Sequence, residues 1–455
     1  MTPEHATGGL EAAQAVLADD QAHLFRGWVQ QGAYRGLPVA GAEGSWFWDY
    51  AGNRYLDFAS QLVYTNLGHQ HPRLVSAVKE QADKLCVIAP HFSEAQRSTA
   101  ARKIAEVAPE GLDRVLFTNS GAEAVEHAVR LARLHTGRHK LLSAYHSFHG
   151  ATATAIHLTG DPRRWRNDTG TAGVSRFFAP YLYRSAFHSR TEEEECARAL
   201  EHLEQVIVLE GAQTIAAIVL EPVGGTSSGV LVPPDGYLAG VRALCDRYGI
   251  MLILDEIMVG FGRTGAWFAA DHWNVRADLV TFAKGVNSGY VPLSGVIVSD
   301  AIVDTFSRTP YPAGTTYSGH PLACAVAVAA IDTMRDEGVI AHADRLGREV
   351  FGPELARIAE RHPSVGEVRG IGAIWAVELV KNKETREMFV GYEQPDRLTP
   401  QAGELMGAFL QRGLNAMVYL NRINITPPCN ISEEDAREGL ARLDDALAVA
   451  DKHCV

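Results

Sequence analysis

No stretch of this 455-residue chain approaches the roughly 18 consecutive apolar residues of a membrane span, and its first residues carry neither a basic start nor an apolar core. The sequence therefore predicts neither a transmembrane helix nor a secretory leader. Cysteine is sparse as well: Cys86, Cys196, Cys245, Cys324, Cys429 and Cys454 form no C-x-x-C pair and no metal-ligand spacing. In a chain of this size that argues for reduced thiols in a cytoplasmic protein, with no bound metal expected. Clustered Lys and Arg are missing too, and with a formal charge of −12 there is no footprint for nucleic acid or an anionic membrane. The only charge run, Glu192 to Glu195, reads as the solvated first turn of a helix.

What the chain has instead is a series of short apolar runs that stop at polar residues. Ile250 to Leu254 stops at Asp255-Glu256, and Asp278 to Phe282 stops at Ala283-Lys284-Gly285. Such runs read as buried strands, and in open α/β sheets ligands sit beyond the carboxyl ends of the strands. A carboxylate and an amine in those places suit pyridoxal 5'-phosphate. The amine can bond covalently to the aldehyde, and the carboxylate can pair with the pyridine nitrogen and keep it protonated. Two surface charges flanking a buried sheet would leave the same pattern.

Further strands are expected at Arg114–Phe117, Lys140–Ser143 and Ile215–Leu220. After the first of these, Ser120-Gly121-Ala122 opens a helix and leaves backbone N–H groups free for a phosphate, although a plain N-cap at Ser120 would satisfy the helix equally. Residues before about His23 read as a short amphipathic helix or a loose arm. Trp46 to Phe58 reads as a hairpin turning at Ala51-Gly52-Asn53, and Pro72 opens a helix. His69 and His71 lack a third ligand nearby and read as loop or packing histidines.

Towards the C-terminus, Val368–Leu379 reads as strand and turn, Ile423–Pro428 as a last strand, and Ser432 as the cap of the last helix. Gly260 to Gly265 satisfies G-x-G-x-x-G, but an acidic pair and three more residues separate it from the strand and no helical stripe follows. It reads as a loop rather than a dinucleotide site. The length suggests one large α/β domain plus a smaller one.

Three words in the sequence, DEIMVGFGRTG, FAKGVNSGYVPLSG and TTYSGHPLACA, resemble the signature of the class III (ω-) aminotransferases, pyridoxal-phosphate enzymes of fold type I. The likeness runs from about Phe25 to the last helix. It implies an N-terminal segment, residues 1–65, that joins a C-terminal small α+β domain, residues 331–455, beside a large α/β cofactor domain, residues 66–330, with a mostly parallel sheet flanked by helices. It implies a ping-pong amine transfer in which Lys284 carries the cofactor and moves the proton, and Asp255 holds the ring nitrogen.

Further cofactor contacts are implied for Ser120, Gly121, Ala122, Phe148, His149, Glu221 and Ile257, with Phe148 and Ile257 on opposite faces of the ring. Thr316 would reach the phosphate of a neighbouring subunit, so a homodimer with shared active sites is expected. Trp28, Val63, Tyr64 and Arg422 would wall the substrate pocket, Arg422 near the position of a carboxylate-binding arginine. Relatives such as the ornithine and γ-aminobutyrate enzymes carry a glutamate soon after an E-P dipeptide that pairs with a pocket arginine and releases it for α-carboxylates, whereas here Glu221-Pro222 is followed by Gly224-Gly225-Thr226. The expected donor is a primary amine or ω-amino acid such as taurine, and the acceptor a keto acid or aldehyde. An aminomutase or decarboxylase on the same fold is the alternative, and a nucleotide-dependent oxidoreductase a distant one.

Overall fold

The computed structural model describes residues 4–167, 173–392 and 399–455. Residues Glu4–His23 form a helix, most of whose described side chains face solvent. An antiparallel meander follows: β1 (Val39–Glu43), β2 (Trp46–Asp49) and β3 (Arg54–Asp57). The expected hairpin is the β2–β3 pair. Asp49 ties its turn by accepting from the backbone N–H groups of Ala51 and Asn53, the usual way a short carboxylate stabilises a tight turn.

The large sheet has seven strands: β4 (Leu112–Thr118), β5 (Lys140–Ala144), β6 (Val174–Phe177), β7 (Ile215–Leu220), β8 (Met251–Asp255), β9 (Leu279–Phe282) and β10 (Ser294–Ser299). Their spatial order is β4-β10-β9-β8-β7-β5-β6. The run from β6 through β9 is parallel, and β10 is antiparallel to both its neighbours. Parallel strands need crossovers that cover both faces, which is why β7 is apolar and buried at every position. The crossover helices Gly121–Thr136, Glu192–Glu210 and Tyr237–Tyr248 supply that cover. Glu195 departs from the expectation of a solvated turn. It is fully buried, accepting from the Tyr181 N–H and the Ser185 hydroxyl.

A second sheet is formed by β11 (Val365–Ile371), β12 (Ile374–Asn382), β15 (Met417–Tyr419) and β16 (Arg422–Ile425), with β13 (Glu387–Met388) on β12. Its core, shared with helices Gly352–Arg361, Pro400–Gln411 and Glu433–Asp451, also takes in Leu56 and Phe58 from the N-terminal meander. Backbone pairing makes the same connection, because β14 (Leu414–Asn415) lies parallel to β3.

The two sheets meet at the fully buried Arg263. Its guanidinium donates to the carbonyls of Ala373 and Pro427, to Asn66 Oδ1 at 2.8 Å and to Ser60 Oγ at 3.3 Å. Gly372 lies against the same loop in the left-handed region. A Cβ there would stand 2.3 Å from the Thr264 carbonyl carbon, so only glycine closes this contact. Among the described residues no helix is long and apolar enough to cross a membrane, and no group of acidic, His or Cys side chains is arranged to hold a metal. His69 pairs with Asp57 and His71 with Glu337.

Candidate active site

Asp255 ends β8, and Lys284 stands just past the end of β9, its parallel neighbour. The register opposes Asp255 to Thr281, so both chains deliver their polar groups at the same edge of the sheet. Asp255 is 4% exposed. One carboxylate oxygen accepts from His149 Nδ1 at 2.7 Å, and the other from Thr281 Oγ1 and the Ile257 N–H, each at 3.2 Å. Burial alone lowers the pKa of His149, but the hydrogen bond and charge of Asp255 outweigh it, and the imidazole titrates above its ordinary range.

Lys284 adopts φ +44°, a left-handed conformation that lysine rarely takes and that usually marks a functional position. Burial lowers its pKa, with Asp255 and Glu221 opposing the shift. Its ammonium has no hydrogen-bond partner among the described residues. Glu221, just past β7, accepts from the Phe148 N–H at 3.1 Å and the Gly225 N–H at 3.0 Å. Burial pushes it up to about 7.

On the far side of Asp255, Ser120 caps the helix Gly121–Thr136 by accepting from the Glu123 N–H at 3.3 Å. The cap leaves the N–H groups of Gly121 and Ala122 without acceptors among the described residues, at the positive end of a 16-residue helix. Ile257 lies against this turn, since a Cβ on Gly121 would stand 3.0 Å from its side chain. Gly150, at φ +135°, approaches from the other side, where a Cβ would come within 2.7 Å of Ala122. Phe148 presents its ring to Trp28, edge-on at 6.1 Å, and to the guanidinium carbon of Arg163 at 3.7 Å.

These groups match the chemistry of pyridoxal 5'-phosphate: free N–H donors for a phosphate, a buried carboxylate for a ring nitrogen, flat and branched apolar side chains for the ring faces, and an unpaired amine for the aldehyde. The other expected residues are less gathered. Thr316 is exposed, on the loop before the helix Pro321–Asp336. Trp28 is 67% exposed. Val63 is buried, and Tyr64 packs on the turn after Lys284, where a Cβ on Gly289 would meet its ring at 2.3 Å.

Arg422 is wholly buried at the start of β16. It donates from Nη1 to the Ser227 carbonyl at 2.9 Å and from Nη2 to the Tyr392 hydroxyl at 3.1 Å. Tyr392 in turn meets His146 Nδ1 at 2.7 Å, and burial lowers His146 to about 4, so this imidazole is neutral. Sequence patterns pointed to none of Asp161, Arg163, His146 or Tyr392, because in the sequence each reads as an ordinary loop residue. The Gly260–Gly265 loop opens no helix, and both Phe261 and Arg263 within it are fully buried, so it is a packed turn rather than a dinucleotide cradle.

The model of the family described as Aminotransferase class-III matches residues 30–447. A taurine:2-oxoglutarate aminotransferase from Bifidobacterium kashiwanohense, solved with PLP and glutamate, superposes with a TM-score of 0.92 at 41% identity, covering 97% of this chain and 98% of that one. An (S)-enantioselective omega-transaminase from Thermomicrobium roseum gives a TM-score of 0.89 at 36% identity, covering 96% and 98%. A putrescine–pyruvate aminotransferase of Pseudomonas aeruginosa is 35% identical over 386 residues, 83% of this chain and 84% of its own length.

Proposed function

This chain belongs to the class III aminotransferases and is a pyridoxal-phosphate enzyme of fold type I, and from that premise we propose the following assignment of donor, acceptor and roles. The protein moves the amino group of a primary amine or ω-amino acid to a keto acid or aldehyde in two half-reactions. It works as a cytoplasmic homodimer. The observation that carries the assignment is the unpartnered Lys284 amine at the sheet edge that also carries the hydrogen-bonded Asp255–His149 pair.

In this reading Lys284 holds the cofactor and, once displaced by a donor, carries the proton from the donor's carbon. Burial is what fits it for that work, since lowering its pKa raises the fraction of uncharged amine that can accept a proton. Asp255 holds the cofactor's ring nitrogen and is itself held by His149 Nδ1. When bound, the cofactor supplies an electron-withdrawing ring that takes up the electron pair left when the donor's carbon loses its proton. The N–H groups of Gly121 and Ala122 hold the phosphate, and Ser120 serves them by capping the helix from outside. Phe148 and Ile257 exclude water from the two ring faces, and Glu221 fixes the backbone of Phe148.

Thr316, exposed in one chain, reaches the phosphate bound by the partner subunit. Trp28, Val63, Tyr64 and Arg422 line the substrate pocket. Amine transfer also distinguishes this reading from an aminomutase or decarboxylase, neither of which makes a new amino acid from an added keto acid.

The test is a panel of amine donors against pyruvate and 2-oxoglutarate, each half-reaction followed by the cofactor's colour. Borohydride reduction of the loaded protein, then digestion, is expected to leave a phosphopyridoxyl mass on the peptide carrying Lys284, and Lys284→Ala to abolish turnover. A mass on another lysine, or full activity in that variant, overturns the assignment.

A further inference from the structure

Arg97 gathers two segments that lie far apart in the sequence. It stands in the first turn of the helix Ala95–Val107, which Glu94 caps by accepting from the Arg97 N–H at 2.9 Å. From there its guanidinium donates from Nε to the Gly319 carbonyl at 2.8 Å and from Nη2 to that of Ile88 at 3.1 Å. Nη1 donates to the carbonyls of Phe92 at 2.6 Å, Pro90 at 3.3 Å and Ala89 at 3.4 Å. Ile88, Ala89, Pro90 and Phe92 belong to residues 85–94, a loop without regular structure between two helices, while Gly319 ends the turn that carries Thr316. The approach is close: a Cβ on Gly319 would stand 2.7 Å from Arg97 Nε.

Little else holds these two segments. Among the described residues, the backbone of 85–94 makes one hydrogen bond within itself, from the Phe92 N–H to the Ala89 carbonyl at 3.1 Å. The Thr316 turn is closed by the Ser318 N–H on the Thr315 carbonyl at 3.2 Å, and Ser318 Oγ ties it to the Phe117 carbonyl of β4 at 2.7 Å. The Thr315 hydroxyl has no partner among the described residues, so the turn is not fixed by its own threonine. Both segments face outwards. Val87, Phe92 and Tyr317 are 57%, 53% and 63% exposed, an apolar face that this chain leaves uncovered and a second copy would cover.

We infer that Arg97 is a positioning residue for the neighbouring subunit's cofactor site: it locks the Thr315–Gly319 turn to the Ile88–Phe92 loop and so presents Thr316 to the phosphate held there. The inference rests on the shared-site reading above. A turn fixed before the subunits meet loses little freedom on contact, so less of the phosphate bond is spent on ordering it. The guanidinium is suited to this. Its planar fork carries donors on three nitrogens and spans both segments, whereas an ammonium at the same place would reach only one.

The test measures cofactor affinity from the pyridoxal phosphate retained at equilibrium dialysis, which needs no turnover. Arg97→Met and Thr316→Ala are each expected to weaken it by about tenfold, the scale of one hydrogen bond to a charged group. Arg97→Lys should fall between the wild type and Arg97→Met. The double variant Arg97→Met with Thr316→Ala should lose no more than either single one, because both changes remove the same contact. Mixed dimers, isolated by two affinity tags, then place the effect. In one pair Arg97→Met lies on the Lys284→Ala chain, and in the other on the chain whose Lys284 is intact. At subsaturating cofactor the first pair should transfer amine about tenfold more weakly than the second, because its one intact lysine faces the loosened turn.

Wild-type affinity in Arg97→Met, when Thr316→Ala has weakened it, overturns the proposal and leaves the shared site standing. Losses that add up in the double variant, or mixed dimers that fall alike, also overturn it and give Arg97 a purely structural role. If Thr316→Ala keeps its cofactor as the wild type does, the shared-site reading fails and the proposal falls with it. If Arg97→Met does not fold, Arg97→Lys, alone and combined with Thr316→Ala, decides by the same rule. If the wild type transfers no amine, the aminotransferase reading fails separately, and the affinity measurements still judge Arg97.

Discussion

At the scale of single residues, the site works by setting charge against burial. Asp255 is deeply buried, and His149 Nδ1, the Ile257 N–H and the Thr281 hydroxyl supply the donors that burial takes from water. Replacing it by Asn keeps the shape and removes the charge. Two outcomes are expected in Asp255→Asn. Amine transfer falls by about 10²–10³-fold, the scale of losing one preorganised electrostatic partner. His149 then loses its proton at a lower pH than in the wild type, because burial no longer has an opposing charge. Steady-state kinetics and an NMR titration of the imidazole would check both, and an unchanged His149 titration would refute the second. Lys284 shows the complementary device, a left-handed backbone that the surrounding turn holds in place.

At the scale of elements, caps and strand ends decide where side chains point. Ser432 accepts from the Asp435 N–H at 3.0 Å and starts the helix Glu433–Asp451, as the S-x-x-D spacing predicts. Ser432→Ala should cost about 1 kcal/mol, read as a lower urea midpoint with unchanged slope. Local features such as this were legible in the sequence: Ile215–Leu220 is a strand over its whole predicted length, and Asp255 and Lys284 stand at strand ends as the apolar runs imply. Strand direction was not. Ser294–Ser299 is buried like its parallel neighbours around Val296-Ile297-Val298, and nothing in its composition says that it runs the other way. Buried charge was equally hidden, since Arg263 and Glu378 are buried by partners more than a hundred positions away, and in sequence each resembles a surface charge.

For the whole molecule, the two sheets are joined by ionised groups as well as apolar contact. Glu378 on β12 is fully buried, pairs with Arg369 at 2.8 Å, and accepts from Arg184 and Tyr181 of the large-sheet side. Burial raises its pKa, but the charges of Arg369, Arg422 and Arg184 bring it down to about 2 from the ordinary 4.5. A depressed carboxylate stabilises the fold above its unfolded pKa and loses that contribution as pH falls through its folded one. Glu378→Gln should therefore be less stable at pH 7, by about 3 kcal/mol, and show a flatter loss of stability between pH 4.5 and about 2. Denaturant melts across that range give the answer, and a parallel acid limb would rule the network out as its source. The proposed shared dimer site makes a separate prediction. Lys284→Ala and Thr316→Asp chains, each inactive alone, should recover about a quarter of wild-type activity when refolded together, because half the dimers are mixed and each has one intact site. No recovery would place Thr316 in its own subunit's site.

The pairing of β3 with β14 also has a consequence for biosynthesis. Asp57 is bonded to Asn415, 358 positions further along the chain, so the opening strands stay unpaired on that side until nearly the whole polypeptide has left the ribosome. At ordinary translation speeds of about 5–20 residues per second, that is a wait of roughly twenty seconds to a minute. During that time Trp46, Tyr55 and Phe58 lack their final neighbours. The interval is when a chaperone would engage this protein, and nascent chains stalled short of Leu414 should be cut by protease within their first sixty or so residues.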